Sequence, residues 1–73
     1  MIVLDIEQTG KNIKALRESH NIKISKLSEM IGVAKAPIYR WEDGSHVPTV
    51  DHLVFLSELY EVPIDAIVVR KEV

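Results

Sequence analysis

Two short helix-forming stretches, at residues 24–31 and 35–43, are separated by a connection of only three residues that includes Gly32. Glycine adopts the left-handed backbone of such a turn without the steric penalty that a side chain brings. The apolar positions of the two stretches are Leu27, Ile31, Val33, Ile38 and Trp41. This spacing is typical of two helices that cross at a steep angle through a tight turn. It predicts a helix-turn-helix motif over residues 24–43.

The flanking segments predict further short helices. A first helix is expected over residues 10–20, with Thr9 as its N-cap, and a fourth is expected after the cap residue Thr49, with Val50 on its inward stripe. A fifth short turn is expected at residues 64–67, after Pro63. The β-branched segments 1–6 and 67–69 are expected to pair as short terminal strands. The predicted fold class is therefore all-α, with five short helices around the central motif.

The length and composition limit the chain to a small unit. With 73 residues and no cysteine, we expect one domain over residues 1–73, without a disulfide or a thiolate metal site. Asp5 and Glu7 stand where a signal peptide would need positive charge, so we predict a cytoplasmic protein. No apolar run approaches the roughly 20 residues of a membrane span, so no membrane insertion is expected.

The charges divide the chain into a basic and an acidic half. Residues 10–40 hold seven Lys and Arg against two acids, and residues 41–73 hold two against seven. A basic half is typical of a surface that binds a polyanion, although the net charge of the whole chain is −2. We therefore expect one face to contact nucleic acid and the acidic half to contact something else, such as a protein partner.

No arrangement of residues suggests an enzyme. His20, His46 and His52 lack the spacing of a helical metal pair, and there are no cysteine ligands to complete a site. The three glycines are too scattered to form a phosphate-binding loop. We predict no catalytic residue, no metal and no cofactor.

A broad set of positions resembles the lambda-repressor-like helix-turn-helix domains, the family of phage repressors and Cro proteins. The matching positions run from Gly10 through Arg17, Leu27 and Gly32 to Pro63. The most specific part is the Trp41-Glu42-x-Gly44 block, which Pro48 follows four residues later. The resemblance implies a sequence-specific transcriptional regulator, expected to act as a dimeric repressor on a palindromic operator of double-stranded DNA.

The resemblance also implies which residues face the bases. In such domains the helix after the turn enters the major groove with its N-terminal residues at the base edges. The residues at those positions are Lys35, Ala36, Pro37, Tyr39 and Arg40. Lys and Arg can donate to guanine O6 and N7, and alanine can touch a thymine methyl group. Pro37 is tolerated because the first-turn N–H that it lacks would have no partner within the helix.

The resemblance also implies a second set of residues, which contact the DNA phosphates. At two places the sequence differs from that of many family members. The residues of this second set are Lys23, Lys26, Ser45, His46 and Thr49. Many relatives start the second helix with Thr-Gln, where this chain has Lys23-Ile24, and carry Lys or Arg after the glycine, where this chain has Ser45-His46. Charge in place of an amide makes binding more sensitive to salt.

The remaining assignments concern structure and partners. Arg17 and Glu42 match a pair that bridges the first and third helices in relatives, so we expect a structural ion pair. Phe55 is expected on the outer face of the fourth helix, where it either contacts a second copy in a homodimer or packs on the terminal strands. The alternative function is a protein-interaction module, such as an antitoxin or adapter, that uses the acidic C-terminal half and binds DNA weakly or not at all.

Overall fold

A computed structural model describes residues 1–73 and contains four α-helices, one 3-10 turn and two short strands. In chain order these are β1 (Ile2–Leu4), α1 (Ile6–Ser19), α2 (Ile24–Ile31), α3 (Lys35–Asp43), α4 (Val50–Tyr60), the 3-10 turn (Ile64–Ala66) and β2 (Arg70–Glu72). The strands pair antiparallel in a two-stranded sheet. The mainly helical fold is confirmed, although the predicted fifth helix is a single 3-10 turn. No helix has the length and apolar character needed to cross a membrane.

The start of α1 differs from the prediction. The N-cap is Asp5, whose carboxylate accepts a hydrogen bond from the Gln8 backbone N–H at 3.0 Å. Asp followed three residues later by Gln is a capping arrangement in its own right. Thr9, predicted as the cap, lies inside the helix and is buried. Its hydroxyl oxygen accepts the Val69 N–H at 3.0 Å and so holds the C-terminal segment against α1.

The ends of the helices follow local backbone preferences. Asn21 follows α1 with φ of 56°, and Gly32 and Gly44 cap α2 and α3 with φ of 73° and 80°. These are left-handed conformations that Gly adopts freely and Asn tolerates. Ile22 then folds back, donating its N–H to the Arg17 carbonyl at 3.1 Å and packing beside the core. The predicted bounds of α2 and α3 are confirmed.

The fourth helix has the predicted cap but a narrower buried face. The Thr49 hydroxyl oxygen accepts the His52 N–H at 3.3 Å. Leu53, Leu56 and Tyr60 are buried, whereas Val50, predicted to point inward, is 73% exposed. Val50 is the first residue of the helix, where no neighbouring element covers it, so its placement on the inner stripe was wrong.

A single aliphatic core joins the helices. Its buried members are Ile13, Ile24, Leu27, Ile38, Trp41, Leu53, Leu56, Tyr60 and Ile67. The N-terminal half of α1 lies directly against the end of α3. The approach is so close that a Cβ on Gly10 would overlap the Trp41 carbonyl oxygen and lie 3.0 Å from the Glu42 carbonyl oxygen. Gly10 is therefore required for the close approach of α1 to α3.

The terminal segments pair as strands, but the second strand lies at Arg70–Glu72 instead of the predicted residues 67–69. Ile2 lies opposite Glu72, Val3 opposite Lys71 and Leu4 opposite Arg70. Ile67, predicted to lie in the second strand, is fully buried in the core instead. Burying an aliphatic side chain stabilises the fold more than β propensity does, so the strand begins only after the chain leaves the core.

Candidate nucleic-acid interface

The turn between α2 and α3 is held by one side chain. The Ser28 hydroxyl donates to the Val33 carbonyl at 2.6 Å, while the Ser28 carbonyl accepts the N–H groups of Gly32 and Val33 at 3.0 and 3.3 Å. On either side of the turn Leu27 and Ile38 are fully buried, each on one of the two helices. The arrangement is a rigid helix-turn-helix in which the orientation of α3 is fixed by packing.

One face of α3 points into solvent. Lys35, Ala36, Tyr39 and Arg40 are exposed and share that face, and Ile38 and Trp41 on the opposite face are buried. Pro37 lies at the boundary and is half-buried, so only part of its ring is accessible. Four of the five predicted base-reading residues are thus brought together on one exposed helix face.

The first turn of α3 also exposes backbone donors. Ala34, the N-cap residue, makes no side-chain hydrogen bond to the helix. The N–H groups of Lys35 and Ala36 therefore have no partner within the helix, and Pro37 has no N–H to satisfy. These donors lie beside the exposed side chains and add positive potential at this end of the helix.

The predicted phosphate-binding residues are exposed at two places. Lys23, the N-cap of α2, and Lys26 in its first turn are exposed, and Lys26 makes only a 3.9 Å contact with Glu29. Ser45 and His46 lie in the loop after α3, and Thr49 lies where α4 begins. Because Thr49 uses only its oxygen as a cap acceptor, its hydroxyl proton is free to donate.

The loop after α3 is ordered by a residue that the sequence analysis did not select. The Asp43 carboxylate accepts the Ser45 N–H at 2.8 Å, and hydrogen bonding by the Ser45 side chain, followed by that of this backbone N–H, lowers the pKa of Asp43. The Ser45 and His46 N–H groups also donate to the Arg40 carbonyl at 3.1 and 3.2 Å. An Asp side chain often accepts the backbone N–H two residues later in a turn, and the Asp43-Gly44-Ser45 sequence could have predicted this hydrogen bond.

Arg17 and Glu42 form a nearly buried ion pair. Arg17 Nε lies 2.7 Å from Glu42 Oε2, and Arg17 Nη2 lies 3.1 Å from Glu42 Oε1. The third nitrogen, Nη1, donates to the Ile22 carbonyl at 2.8 Å, and the hydrogen bond to Glu42 raises the pKa of Arg17. A single guanidinium therefore connects α1, the turn that follows it, and the C-terminal end of α3.

The three histidines lie apart and two of them pack on aromatic rings. The His20 ring centroid is 4.8 Å from that of Tyr60, and the His52 centroid is 5.1 Å from that of Trp41. His46 lies beside Ser45 in the loop after α3. The residues near each histidine are aromatic or hydroxyl-bearing, which does not suggest a metal site.

Tyr60 carries a buried hydroxyl without a hydrogen-bond partner, and burial raises its pKa. We expect Tyr60→Phe to unfold at the same or a higher temperature, because removing an unsatisfied buried hydroxyl costs nothing in hydrogen bonding. Thermal unfolding followed by circular dichroism measures this, with Tyr39→Phe as the control for an exposed tyrosine. A lower melting temperature for Tyr60→Phe alone would contradict the absence of a partner.

The predicted exposure of Phe55 was wrong. Phe55 is half-buried, and the exposed apolar side chains of α4 are Val50 and Val54, at 73% and 45%. Phe55 adjoins the fully buried Leu56, and at 100° of rotation per residue its long side chain reaches the edge of the buried face. Phe55 was assigned to a dimer contact because it was expected to be exposed, and the structure does not show that exposure.

The fold and this exposed helix define a helix-turn-helix domain. A family model described as helix-turn-helix matches residues 13–67, and the chain belongs to this family. The membership confirms the resemblance drawn from the sequence.

The chain is similar to several proteins named as transcriptional regulators. It is 37% identical over 57 residues to the uncharacterized HTH-type transcriptional regulator YobD of Bacillus subtilis, a match that covers 78% of this chain and 51% of that protein. It is 36% identical over 55 residues to the putative HTH-type transcriptional regulatory protein MJ1164 of Methanocaldococcus jannaschii, covering 75% of this chain and 17% of that one. The chain thus spans half of YobD and under a fifth of the archaeal relative. The names of these relatives describe transcriptional regulators, which is the class of function that the sequence resemblance implied.

The fold is also that of a solved structure. The crystal structure of the DNA-binding domain of BldD superposes with a TM-score of 0.74 at 21% identity, covering 88% of this chain and 93% of that one. Superposition over most of both chains confirms the arrangement of helices around the turn.

Proposed function

We propose that this chain binds double-stranded DNA sequence-specifically and regulates transcription, as a repressor that binds a palindromic operator as a homodimer in the cytoplasm. The observation that carries the proposal is the exposed face of α3, where Lys35, Ala36, Tyr39 and Arg40 lie together beside a rigid turn. The names of the regulators that share the family, and of the DNA-binding domain that shares the fold, support it.

The side chains of this face are suited to base edges. Arg40 can donate two parallel hydrogen bonds to guanine O6 and N7, and Lys35 can donate to the same acceptors. Ala36 is short enough to let the helix approach a thymine methyl group, beside the accessible edge of the Pro37 ring. Tyr39 is 56% exposed and can donate its hydroxyl to a base or a phosphate.

The phosphate contacts would hold α3 in the groove. Lys23 and Lys26 provide charge at the start of α2, and Ser45, His46 and Thr49 provide neutral donors after α3. Phosphate contacts position a protein without reading sequence, and contacts by charged groups release counterions. Affinity should therefore fall steeply with salt, whereas the recognised sequence should not change.

A homodimer is proposed because one such domain reads few base pairs. Two copies related by a two-fold axis would read half-sites about one helical turn, roughly 34 Å, apart. The symmetry of the protein then requires a palindromic operator.

A second candidate function is that of an adapter that binds a protein through its acidic half. The observation in its favour is the outer face of α4, where Val50 and Val54 are exposed beside the exposed acids Asp51 and Glu58. Such a face fits a basic amphipathic segment of a partner. The test is charge reversal at Lys35 and Arg40. If it left the biological output intact, while changes around Glu58 and Glu61 abolished that output, this second function would replace the first.

The decisive test is selection of bound duplexes from a random DNA library at about 50 and 200 mM salt. We expect the parent chain to select one palindrome at both salt concentrations. Arg40→Ala should relax selection at one position of each half-site and lower affinity by about tenfold or more, since a bidentate arginine–guanine pair discriminates by about 1–3 kcal/mol.

The matched control is Arg70→Ala, which removes another exposed arginine, on β2, and should select the parent motif. An unchanged motif for Arg40→Ala would contradict the assignment of that residue. Binding that selects no motif and vanishes at the higher salt would contradict sequence-specific recognition.

A further inference from the structure

The hydrogen-bond pattern of the terminal ribbon, formed by β1 and β2, leaves both of its edges unpaired. At its open end the Met1 ammonium donates to the Val73 carbonyl at 3.0 Å, and the Val73 N–H donates to the Met1 carbonyl at 2.9 Å. Met1 and Val73 are thus a hydrogen-bonded pair. Such pairs alternate with non-hydrogen-bonded pairs along an antiparallel ladder, so the next hydrogen-bonded pair is Val3 and Lys71. The residues that direct their N–H and C=O groups away from the ribbon are Ile2 and Leu4 on β1, and Arg70 and Glu72 on β2.

The edge of β1 is apolar. Ile2 is 60% exposed, and Met1 and Val73 beside it are 80% and 68% exposed. Natural edge strands are protected from pairing by shortness, charged residues, proline or a bulge; β1 is short, with three residues, but contains no charge, proline or bulge. It therefore offers unpaired backbone groups and uncovered apolar side chains at the same place.

The edge of β1 is complementary to a second copy of itself. With a two-fold axis at Val3, Ile2 lies opposite Leu4 of the second copy, and Leu4 opposite its Ile2. Both residues direct their backbone groups outward, so each pair can exchange two hydrogen bonds. Cross-strand pairs of aliphatic side chains add to the stability of such a ladder. The pairing therefore matches the outward-directed backbone groups of Ile2 and Leu4 in both copies.

The edge of β2 is a poorer surface for the same pairing. A two-fold axis at Lys71 would bring the Lys71 side chains of both copies directly opposite each other, and like charges in that position are destabilising. The pairing would also create ion pairs between Arg70 and Glu72, but exposed ion pairs stabilise little. The charges of β2 thus protect its own edge and leave β1 as the open one.

We propose that a second copy of this chain binds along the β1 edge, so that the two terminal ribbons form one four-stranded antiparallel sheet with the order β2-β1-β1-β2. The inference deepens the proposed function, on which it rests for the role of the dimer in presenting two α3 helices to one operator. A contact of three residues per strand is small, so the dimer is weak in free solution and strengthens when two half-sites bring the copies together.

Amide hydrogen exchange measured by NMR on the DNA-free chain tests the contact residue by residue. Between about 0.05 and 1 mM protein, mass action should increase dimer formation, and the exchange of the Ile2 and Leu4 amides should slow by about fivefold or more. The amides of Arg70 and Glu72 are the internal control and should exchange at the same rate throughout. Protection of Arg70 and Glu72 instead, or of neither strand, overturns the proposal.

A pair of matched variants tests the same contact by sedimentation. Ile2→Lys places a charge on the pairing edge at a site that is already exposed, and should raise the dimer dissociation constant by about tenfold or more. Val73→Lys adds the same charge at the exposed residue that follows β2 and should change the dimer dissociation constant by less than about threefold. Equal effects of the two variants overturn the proposal. A third variant, Val54→Lys, tests the exposed face of α4, and loss of the dimer in this variant alone also overturns the proposal.

The failure of this inference can be told apart from failure of the proposed function. Ile2→Lys lies outside α3, so it should still select the half-site sequence that the parent chain selects. A chain that reads that sequence but never pairs at β1 contradicts only the dimer contact, whereas a chain that pairs at β1 and selects no sequence contradicts only DNA recognition.

Discussion

Gly10→Ala is expected to destabilise the domain by about 3 kcal/mol, which is a large part of the stability of a domain of this size. The added methyl group would overlap the Trp41 carbonyl oxygen and press on that of Glu42. Both obstacles are backbone atoms at the end of α3, which cannot rotate away as a flexible side chain would. The whole of α1 would have to move away from α3, and the core residues between them would lose contact.

Gly32→Ala is the matched control for this substitution. Gly32 has a left-handed backbone, but a Cβ there meets no atom within 4 Å, so only conformational strain of about 1 kcal/mol is expected. Urea unfolding followed by the fluorescence of the buried Trp41 measures both variants. Equal losses for Gly10→Ala and Gly32→Ala would show that the close approach of α1 to α3 is not what requires glycine at position 10.

The second large effect is expected for Glu42→Ala, which should lower the free energy of unfolding by about 3 kcal/mol. The Arg17 guanidinium would stay nearly buried, with its Ile22 hydrogen bond but without a counter-charge. Glu42 lies off the exposed face of α3, so the folded variant should still select the parent DNA motif.

Glu58→Ala removes the same charge from an exposed position on α4 and should change stability by less than about 0.5 kcal/mol. Comparing the two variants therefore separates loss of the ion pair from a change in net charge. Melting temperatures that are the same for Glu42→Ala and the parent chain would show that the pair does not stabilise the fold.

Much of the helical framework could be predicted because its determinants are local. Gly32 and Gly44 end α2 and α3 in the left-handed conformation that glycine adopts freely, and Thr49 caps α4 through a hydrogen bond from the residue three positions on. The same local phase of Ile38 and Trp41 places Lys35 and Arg40 on the exposed face of α3. The candidate site could therefore be located from the chain alone.

The remaining features depend on contacts between residues far apart in the chain. The Thr9 hydroxyl binds the N–H of Val69, sixty positions away, and Gly10 is needed because α3 lies against it. Ile67 lies in a β-branched segment that is typical of a strand, yet its side chain is buried in the core. The strand β2 therefore begins three residues later, at Arg70. Local propensity is set within a few residues, so it determined where the helices of the motif begin and end. Which surfaces meet, and which edge of the terminal ribbon stays open, depended on packing of the whole chain, because burying side chains such as Ile67 outweighs any single local preference.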